Sequence, residues 1–248
     1  MDTYVNHLGS NAPQTGGLSA GASVAVWALD TTAGVVGGHP VAEALPMLDA
    51  VERHRAERLF REGDRRRFLA SHVALRVLLG SYLGMAPAQV TLVRENCPCC
   101  DGPHGRPAVA GGALHFSLSH SGDVAYLAFA GVPVGVDVEG IPSADTMADV
   151  LTTLHPTEIA ELTALPEPDR REAMGRVWSR KEAYLKATGT GLALGLAEPY
   201  VSSAHTPAEI PGWTLTDLSA PPGYVAALAL RTTDRASTSA SAQPPRTW

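Results

Sequence analysis

The chain has 248 residues, of which 45% are hydrophobic and 18% charged, below the roughly 25% charge of an average domain. It is too apolar to stay disordered, and no apolar run approaches the ~20 residues that cross a membrane as a helix. A formal charge of −6 argues against general affinity for nucleic acid. The 3 cysteines all fall within Cys97–Cys100, which excludes a disulfide framework and points to a reducing compartment, expected to be the cytoplasm. Met1 to Thr15 have neither the basic start nor the apolar core of a secretory signal.

In chain order, residues 1–20 are rich in Gly, Ser and Asn without periodicity and are expected to be flexible. Ser23–Leu29 alternates and reads as a strand. Ala42–Phe60 and Asp64–Leu83 read as helices, the second with a broad apolar face and Gly80 and Gly84 near its end. Val90–Val93 is a short strand, and 97–113 a Gly/Pro-rich loop. Leu114–Leu118 and Val124–Ala130 form a hairpin about a tight turn at His120–Asp123, and Val134–Glu139 is a further strand. Helices are expected over Ala144–Leu154, Pro156–Leu162 and Pro168–Thr188, the last stopped by Gly189 and Gly191. Strands near Tyr200–Ser202, Trp213–Leu218 and Tyr224–Leu230 follow, and 232–248 reads as a low-complexity, disordered tail. The segment Gly122–Leu127 is echoed by Gly223–Leu228, each the second arm of a hairpin and each preceded by a long helix. The echo suggests two similar α+β lobes, 21–132 and 133–231, packed about a pseudo-two-fold axis with a cleft between them.

The sharpest local signal is Gly135-Val136-Asp137-Val138-Glu139-Gly140. Side chains alternate along a strand, so Asp137 and Glu139 share one face. Paired carboxylates repel unless a cation lies between them, and carboxylates with substrate phosphates are the usual Mg²⁺ arrangement. A solvent-facing strand edge explains the pair equally well. Trp178-Ser179-Arg180-Lys181-Glu182-Ala183-Tyr184-Leu185-Lys186 adds a third carboxylate and two lysines. Glu182 and Lys186 are i,i+4 on one helix face, the geometry of an ordinary surface ion pair, but Trp178 on that face implies partial burial.

Lysine occurs in the whole chain at 181 and 186 alone; every other member of the 19 Lys and Arg residues is arginine. This bias, with abundant Ala and Gly, reads as the product of a GC-rich genome. A lysine kept only for its charge would have been replaced, so either both survivors need a compact, tunable ammonium or they survive by chance. Phe116-Ser117-Leu118-Ser119-His120-Ser121-Gly122 ends a strand in a polar turn whose donors suit phosphate oxygens, or merely satisfy turn backbone. A Ser/His hydrolase is not supported: the G-x-S-x-G match, Gly17-Leu18-Ser19-Ala20-Gly21, lies in the unpatterned N-terminal stretch and not on a strand-to-helix turn. Seven arginines between Arg53 and Arg67 alternate with acids and form a largely solvated face with some capacity for phosphate. Cys97-Pro98-Cys99-Cys100 with His104 resembles a zinc knuckle of unusual spacing; plain reduced thiols are the simpler reading.

The motifs F-S-L-S-H-S-G, G-V-D-V-E and W-S-R-K-E-A-Y-L-K, in this order, resemble those of the Sfp-type (surfactin-type) 4'-phosphopantetheinyl transferases, in their W/K-E-A branch. The likeness runs from about Ser23 to Arg231 and includes the helix Asp64–Arg76 and Gly105-Arg106-Pro107, where relatives often carry Gly-Lys-Pro. It implies a two-lobed α+β fold with coenzyme A in the cleft. It also implies Mg²⁺-dependent (or Mn²⁺-dependent) transfer of the phosphopantetheine arm to a serine of an apo acyl or peptidyl carrier protein, with release of adenosine 3',5'-bisphosphate. Carried over by residue, Asp137, Glu139 and Glu182 resemble the metal ligands. Lys186 resembles the group that neutralises and protonates the leaving phosphate, and Glu182 the base for the serine. Lys181, Ser119, His120, Arg55, Arg67, Gly105, Arg106 and Pro107 are implied as coenzyme contacts. Glu52 departs from the pattern, since relatives often carry a cation there; Arg53 is the substitute. Carrier proteins are typically acidic, so the arginines at 53–67 or Arg170, Arg171 and Arg176 are expected to steer them. A monomer suffices, since one chain supplies both lobes, and neither nucleic acid nor membrane is an expected partner. Two other readings remain open: a zinc-loop module that binds an acidic partner, and a Mg²⁺-dependent hydrolase of nucleotide pyrophosphates.

Overall fold

The computed structural model describes residues 3–15, 18, 23–112, 114–191 and 195–232. Its first half runs β1 (Val5–His7), β2 (Val24–Asp30), β3 (Val35–Val36), β4 (His39–Pro40), α1 (Ala50–Glu57), α2 (Glu62–Leu83), β5 (Leu92–Arg94) and β6 (Pro107–Val109). There follow β7 (His115–Ser121), β8 (Val124–Ala130), β9 (Val134–Gly140), α3 (Ala144–Leu151), α4 (Pro156–Ala164), α5 (Glu167–Thr188), β10 (Trp213–Leu218) and β11 (Tyr224–Arg231). The larger sheet has the order β1-β2-β8-β7, with β1 parallel to β2 and the other pairs antiparallel. An antiparallel sheet, β10-β11-β9, forms the second.

Strand periodicity explains how these elements stack. On one face of the larger sheet, Trp27, Leu29, Phe116, Leu127 and Phe129 meet Phe68, Val73, Leu78 and Leu79 of α2. On its other face, Val26, Ala28, Tyr126 and Ala128 meet Val136, Val138, Ala226 and Leu228 of the second sheet. One residue further along β11 from Ala226 and Leu228, Ala227 and Ala229 turn the opposite way, onto Ala183 and Ala187 of α5. The layers therefore run helix, sheet, sheet, helix, and both faces of each sheet carry apolar side chains into the stack. Each fully buried Leu, Val or Phe contributes roughly 1.5–3 kcal/mol of transfer free energy to this stack. The alternation leaves Asp137 on the α5 side of β9, as its spacing from Val136 and Val138 requires.

Several sequence expectations need correction. The helix expected over Ala42–Phe60 is two 3-10 turns, Val41–Glu43 and Leu45–Met47, followed by the separate helix α1. Pro46 lacks the N–H that a continuous helix needs there, and Leu48 is extended. Asp49 then starts α1 afresh, accepting the Glu52 N–H while the Glu52 carboxylate accepts the Asp49 N–H. Tyr200–Ser202 is not a strand: side chains take the bonds that a neighbouring strand would. Val201 N–H donates to Glu158 Oε1 (2.8 Å), Ser203 N–H to Glu161 Oε2 (2.9 Å), and Arg180 caps the Ser202 carbonyl (2.6 Å). The turn expected at His120–Asp123 narrows to Gly122-Asp123, because β7 runs on through His120 to pair Ser121 with Val124. The 97–113 loop contains β6, paired with β5, and Ala144–Leu154 ends as a helix at Leu151. Within 1–20, expected to be flexible, Val5–His7 is a strand with Val5 and Leu8 buried. The expected tail lies outside the described residues from 233 onward.

Candidate active site

The F-S-L-S-H-S motif does something its sequence did not announce. Its three serines, Ser117, Ser119 and Ser121, share one face of β7 and join that strand to β9. Ser117 Oγ accepts the Val136 N–H at 3.0 Å, and Ser119 Oγ donates to Asp137 Oδ1 at 2.7 Å. Ser121 Oγ donates to Glu139 Oε2 at 3.0 Å and accepts the Gly140 N–H at 3.2 Å. Serines at a period of two are thus the signal for Ser117 and Ser121, which sequence reasoning passed over.

Against the other side of β9 lies α5. A Cβ on Gly135 would stand 2.0 Å from the Ala183 carbonyl oxygen and 2.5 Å from the Ala187 nitrogen, so only glycine permits this approach. The close contact brings Lys186 to Asp137: Nζ donates to Asp137 Oδ1 at 2.6 Å and to Ser119 Oγ at 2.8 Å. Lys186 is therefore not the surface partner of Glu182 that i,i+4 spacing alone suggests. Asp137 is 1% exposed, and its Oδ2 is buried without a hydrogen-bond partner. Burial, and next the negative charge of Asp137, raise the Glu139 carboxyl above its ordinary pKa. Burial also raises Glu182; Lys186 opposes this and Asp137 adds to it. One orphaned oxygen and two carboxyls that are costly to ionise among three acids make a donor set that a cation fits. The residues present thus suit a divalent ion held by Asp137, Glu139 and Glu182. Their oxygens are not tightly gathered, though: among the described residues, the His/Cys/Asp/Glu group whose donor atoms all lie within 4.8 Å is Cys97, Cys100 and His104.

Beyond Ser119, His120 carries the next side chain of β7 at the exposed end of the sheet. Desolvation, and next the charges of Lys186, His72, Arg55 and Arg67, hold its imidazole below the ordinary pKa. These residues come from α1, α2, β7 and α5, so four elements converge on a cationic patch beside the carboxylates. Arg55 lies over the Phe68 ring at 5.6 Å, and that ring stacks on His72. Arg67 is shared between Asp64 and Asp123.

Glu52, which departs from the family pattern, is a structural hub. Arg76, 1% exposed, donates to it at 2.7 Å, and His72 Nδ1 lies 2.7 Å from its other oxygen. Burial raises its pKa, but the bonds from His72, Arg76 and the Asp49 N–H outweigh this and hold it at about 2. Arg53, the expected substitute, donates one N–H of its guanidinium to the Leu48 carbonyl. Lys181 is likewise absent from the cluster and corrects the expectation of a coenzyme contact. It is 1% exposed, bonded to Glu158 at 2.9 Å and to the Pro199 carbonyl at 2.6 Å. A pocket with one carboxylate and one carbonyl suits an ammonium better than a wider guanidinium, which accounts for this lysine's survival. Glu158 of α4 and Arg180 of α5, both buried, gave no local signal.

Gly105-Arg106-Pro107 reaches the end of α5. Arg106 pairs with Glu95 (2.7 Å) and donates to the Ala187 carbonyl (2.7 Å), one residue past Lys186. The arginines near 170 are occupied by backbone: Arg170 by the Leu165 carbonyl, Arg171 by that of Pro142, and Arg176 by that of Ser203. Arg58, Arg61, Arg65 and Arg66 are exposed.

Two layered sheets carry a partly exposed lysine held on buried Asp137 and Ser119, with flanking acids and an adjoining cationic patch that suits anionic groups. Comparison with known proteins gives the class a name. A family model described as the 4'-phosphopantetheinyl transferase superfamily matches residues 133–229. The chain is 35% identical over 193 residues to the 4'-phosphopantetheinyl transferase HetI of Nostoc sp., covering 74% of this chain and 78% of that one. It is 29% identical over 134 residues to the 4'-phosphopantetheinyl transferase Sfp of Bacillus subtilis, covering 53% and 59%. It is 38% identical over 125 residues to AcpT of Salmonella typhimurium, also a 4'-phosphopantetheinyl transferase, covering 48% and 59%. The chain belongs to the 4'-phosphopantetheinyl transferase superfamily and is an enzyme of that class. Among the described residues, no helix is long and apolar enough to cross a membrane.

Proposed function

We propose that this enzyme moves the 4'-phosphopantetheine arm of coenzyme A onto a serine of an apo acyl or peptidyl carrier protein and releases adenosine 3',5'-bisphosphate. The serine oxygen attacks the β-phosphorus, the bond to the bridging oxygen of the bisphosphate breaks, and the serine proton passes to a base. The observation that carries this reading is the contact of Lys186 with buried Asp137 and Ser119. Phosphoryl transfer depends on positioning and charge neutralisation, and Lys186 offers an ammonium, fixed by two buried acceptors, to neutralise and protonate the leaving phosphate. Glu182, with its raised pKa, is the base that takes the serine proton. Mg²⁺ held by Asp137, Glu139 and Glu182 would supply neutralisation of the pyrophosphate charge. His120, Arg55 and Arg67 bind the phosphates of the coenzyme, and the exposed arginines of 58–66 steer an acidic carrier.

In this reading the chain is a monomeric cytoplasmic enzyme of the Sfp-type, W/K-E-A branch, serving polyketide, non-ribosomal peptide or fatty acid synthases. Its halves, 21–132 and 133–231, are related lobes with the coenzyme between them; a 22-residue helix over a sheet in each supports this. The test is incubation with coenzyme A, Mg²⁺ and a panel of apo carriers, read by intact mass. The carrier should gain the mass of phosphopantetheine. Free phosphopantetheine with unmodified carrier would replace this reading with a hydrolase.

A further inference from the structure

The loop between β5 and β6 holds a constellation that the transfer reaction does not use. Cys97 Sγ, Cys100 Sγ and a ring nitrogen of His104 all lie within 4.8 Å of one another, and Cys100 Sγ is 3.0 Å from His104 Nε2. Tetrahedral coordination, with Zn–S about 2.3 Å and Zn–N about 2.0 Å, sets such donors about 3.5–3.8 Å apart. The three donors thus need shifts of at most about an ångström to surround one ion. The sequence suggests a spacing of C-x-C-C, but the structure pairs Cys97 with Cys100, a C-x2-C of ordinary zinc spacing, and leaves Cys99 outside the group.

The backbone supports the same geometry independently. Cys97 N–H donates to the Gly102 carbonyl (2.7 Å), Asp101 N–H to the Cys97 carbonyl (2.8 Å) and His104 N–H to the Gly102 carbonyl (2.8 Å). Asp101 takes a left-handed φ of 57°, which tightens this knuckle. A Cβ on Gly102 would stand 2.9 Å from His104 Cδ2 and 3.3 Å from Cys100 Sγ, so glycine here lets the imidazole fold back towards the thiols. Cys97 is buried, whereas Cys100 is exposed, so the group has a core anchor and an open side.

We propose that Cys97, Cys100 and His104 bind a zinc ion, with the two cysteines as thiolates and solvent at the fourth position. The ion ties the loop at the base of Gly105-Arg106-Pro107, and so fixes the Arg106 side chain that spans Glu95 and the end of α5. Binding releases the two thiol protons and needs no redox change.

The test uses the full chain without a polyhistidine tag, purified under reductant in zinc-containing medium and dialysed. Metal analysis should find one zinc per chain. Replacement by Co²⁺ should give the visible bands of a tetrahedral site and thiolate-to-cobalt charge transfer in the near ultraviolet. The double variant Cys97→Ser/Cys100→Ser and the single variant His104→Ala should lose the ion, while Cys99→Ser keeps it. Circular dichroism separates loss of the ion from loss of the fold, and the wild-type cobalt spectrum stands without any variant. Metal-free wild-type protein after zinc supplementation, a cobalt spectrum without thiolate charge transfer, a Cys97–Cys100 disulfide in the reduced preparation, or loss of metal in Cys99→Ser would each overturn the proposal. None of these outcomes depends on transferase activity.

Discussion

Lys186→Arg separates a chemical role from an electrostatic one. Lys186 Nζ donates to Asp137 Oδ1 at 2.6 Å and Ser119 Oγ at 2.8 Å, and both acceptors are buried, at 1% and 6% exposure. Arginine keeps the charge beside Asp137, so stability should change by no more than about 1 kcal/mol. Its planar fork cannot sit where a compact ammonium fits between two buried oxygens, and it does not give up a proton near neutral pH. Losing a positioned proton donor costs about 10²–10⁴-fold in rate, or about 3–5 kcal/mol at the transition state. Single-turnover transfer to an apo carrier at saturating coenzyme A measures this step, with coenzyme affinity and thermal unfolding followed in parallel. We expect at least roughly 10²-fold slower transfer, with affinity changed far less. A loss under about threefold, far below that range, would refute the assignment of Lys186 to the leaving group.

Three further outcomes test the scaffold. Glu52, with a pKa of about 2, is more acidic folded than unfolded, so the stability it contributes is present above about pH 4.5 and is lost as pH falls towards 2. The shift corresponds to about 3 kcal/mol, about 2 of it gone by pH 3; urea unfolding at pH 6 and pH 3 should show that loss, and Glu52→Gln should flatten the difference. Gly135→Ala forces a Cβ into the Ala183 carbonyl and should cost roughly 1–3 kcal/mol while moving Lys186 off Asp137; unchanged stability and activity would contradict the packing described. Lys181→Met strands Glu158, which is 0% exposed, and should cost about 3–5 kcal/mol. Adding Glu158→Gln should recover much of that stability, and coenzyme affinity of the folded protein should not move; weaker coenzyme binding at equal stability would return Lys181 to the active site.

What was legible in the sequence is what local periodicity and composition encode. Alternation in Val136-Asp137-Val138-Glu139 assigned the two faces of β9, and helical spacing located α5 to within a residue of its start at Glu167. Scarcity of lysine drew attention to Lys186, which the fold then brings to Asp137. The same argument misplaced Lys181, because scarcity shows that an ammonium is wanted but not where it points. Its partner Glu158 lies on another helix, and no local pattern joins the two. Ser117, Ser119 and Ser121 read as phosphate donors or turn hydroxyls, and only β9 laid beside them shows the bonds they make. The segment 200–203 reads as a strand by residue type, yet α4 and α5 satisfy its backbone with Glu158, Glu161 and Arg180. In the last three cases a contact distant in sequence decided the outcome.

The central claim, transfer to a carrier serine, is tested most directly by one quantitative reaction: purified enzyme, coenzyme A, Mg²⁺ and an accepting apo carrier, beside the same carrier with its acceptor serine changed to alanine. Released adenosine 3',5'-bisphosphate and holo-carrier are counted together. The account predicts equal amounts of the two with the serine carrier, and neither above background with the alanine carrier. Bisphosphate released at the same rate with both carriers, with no mass gained by either, would contradict it.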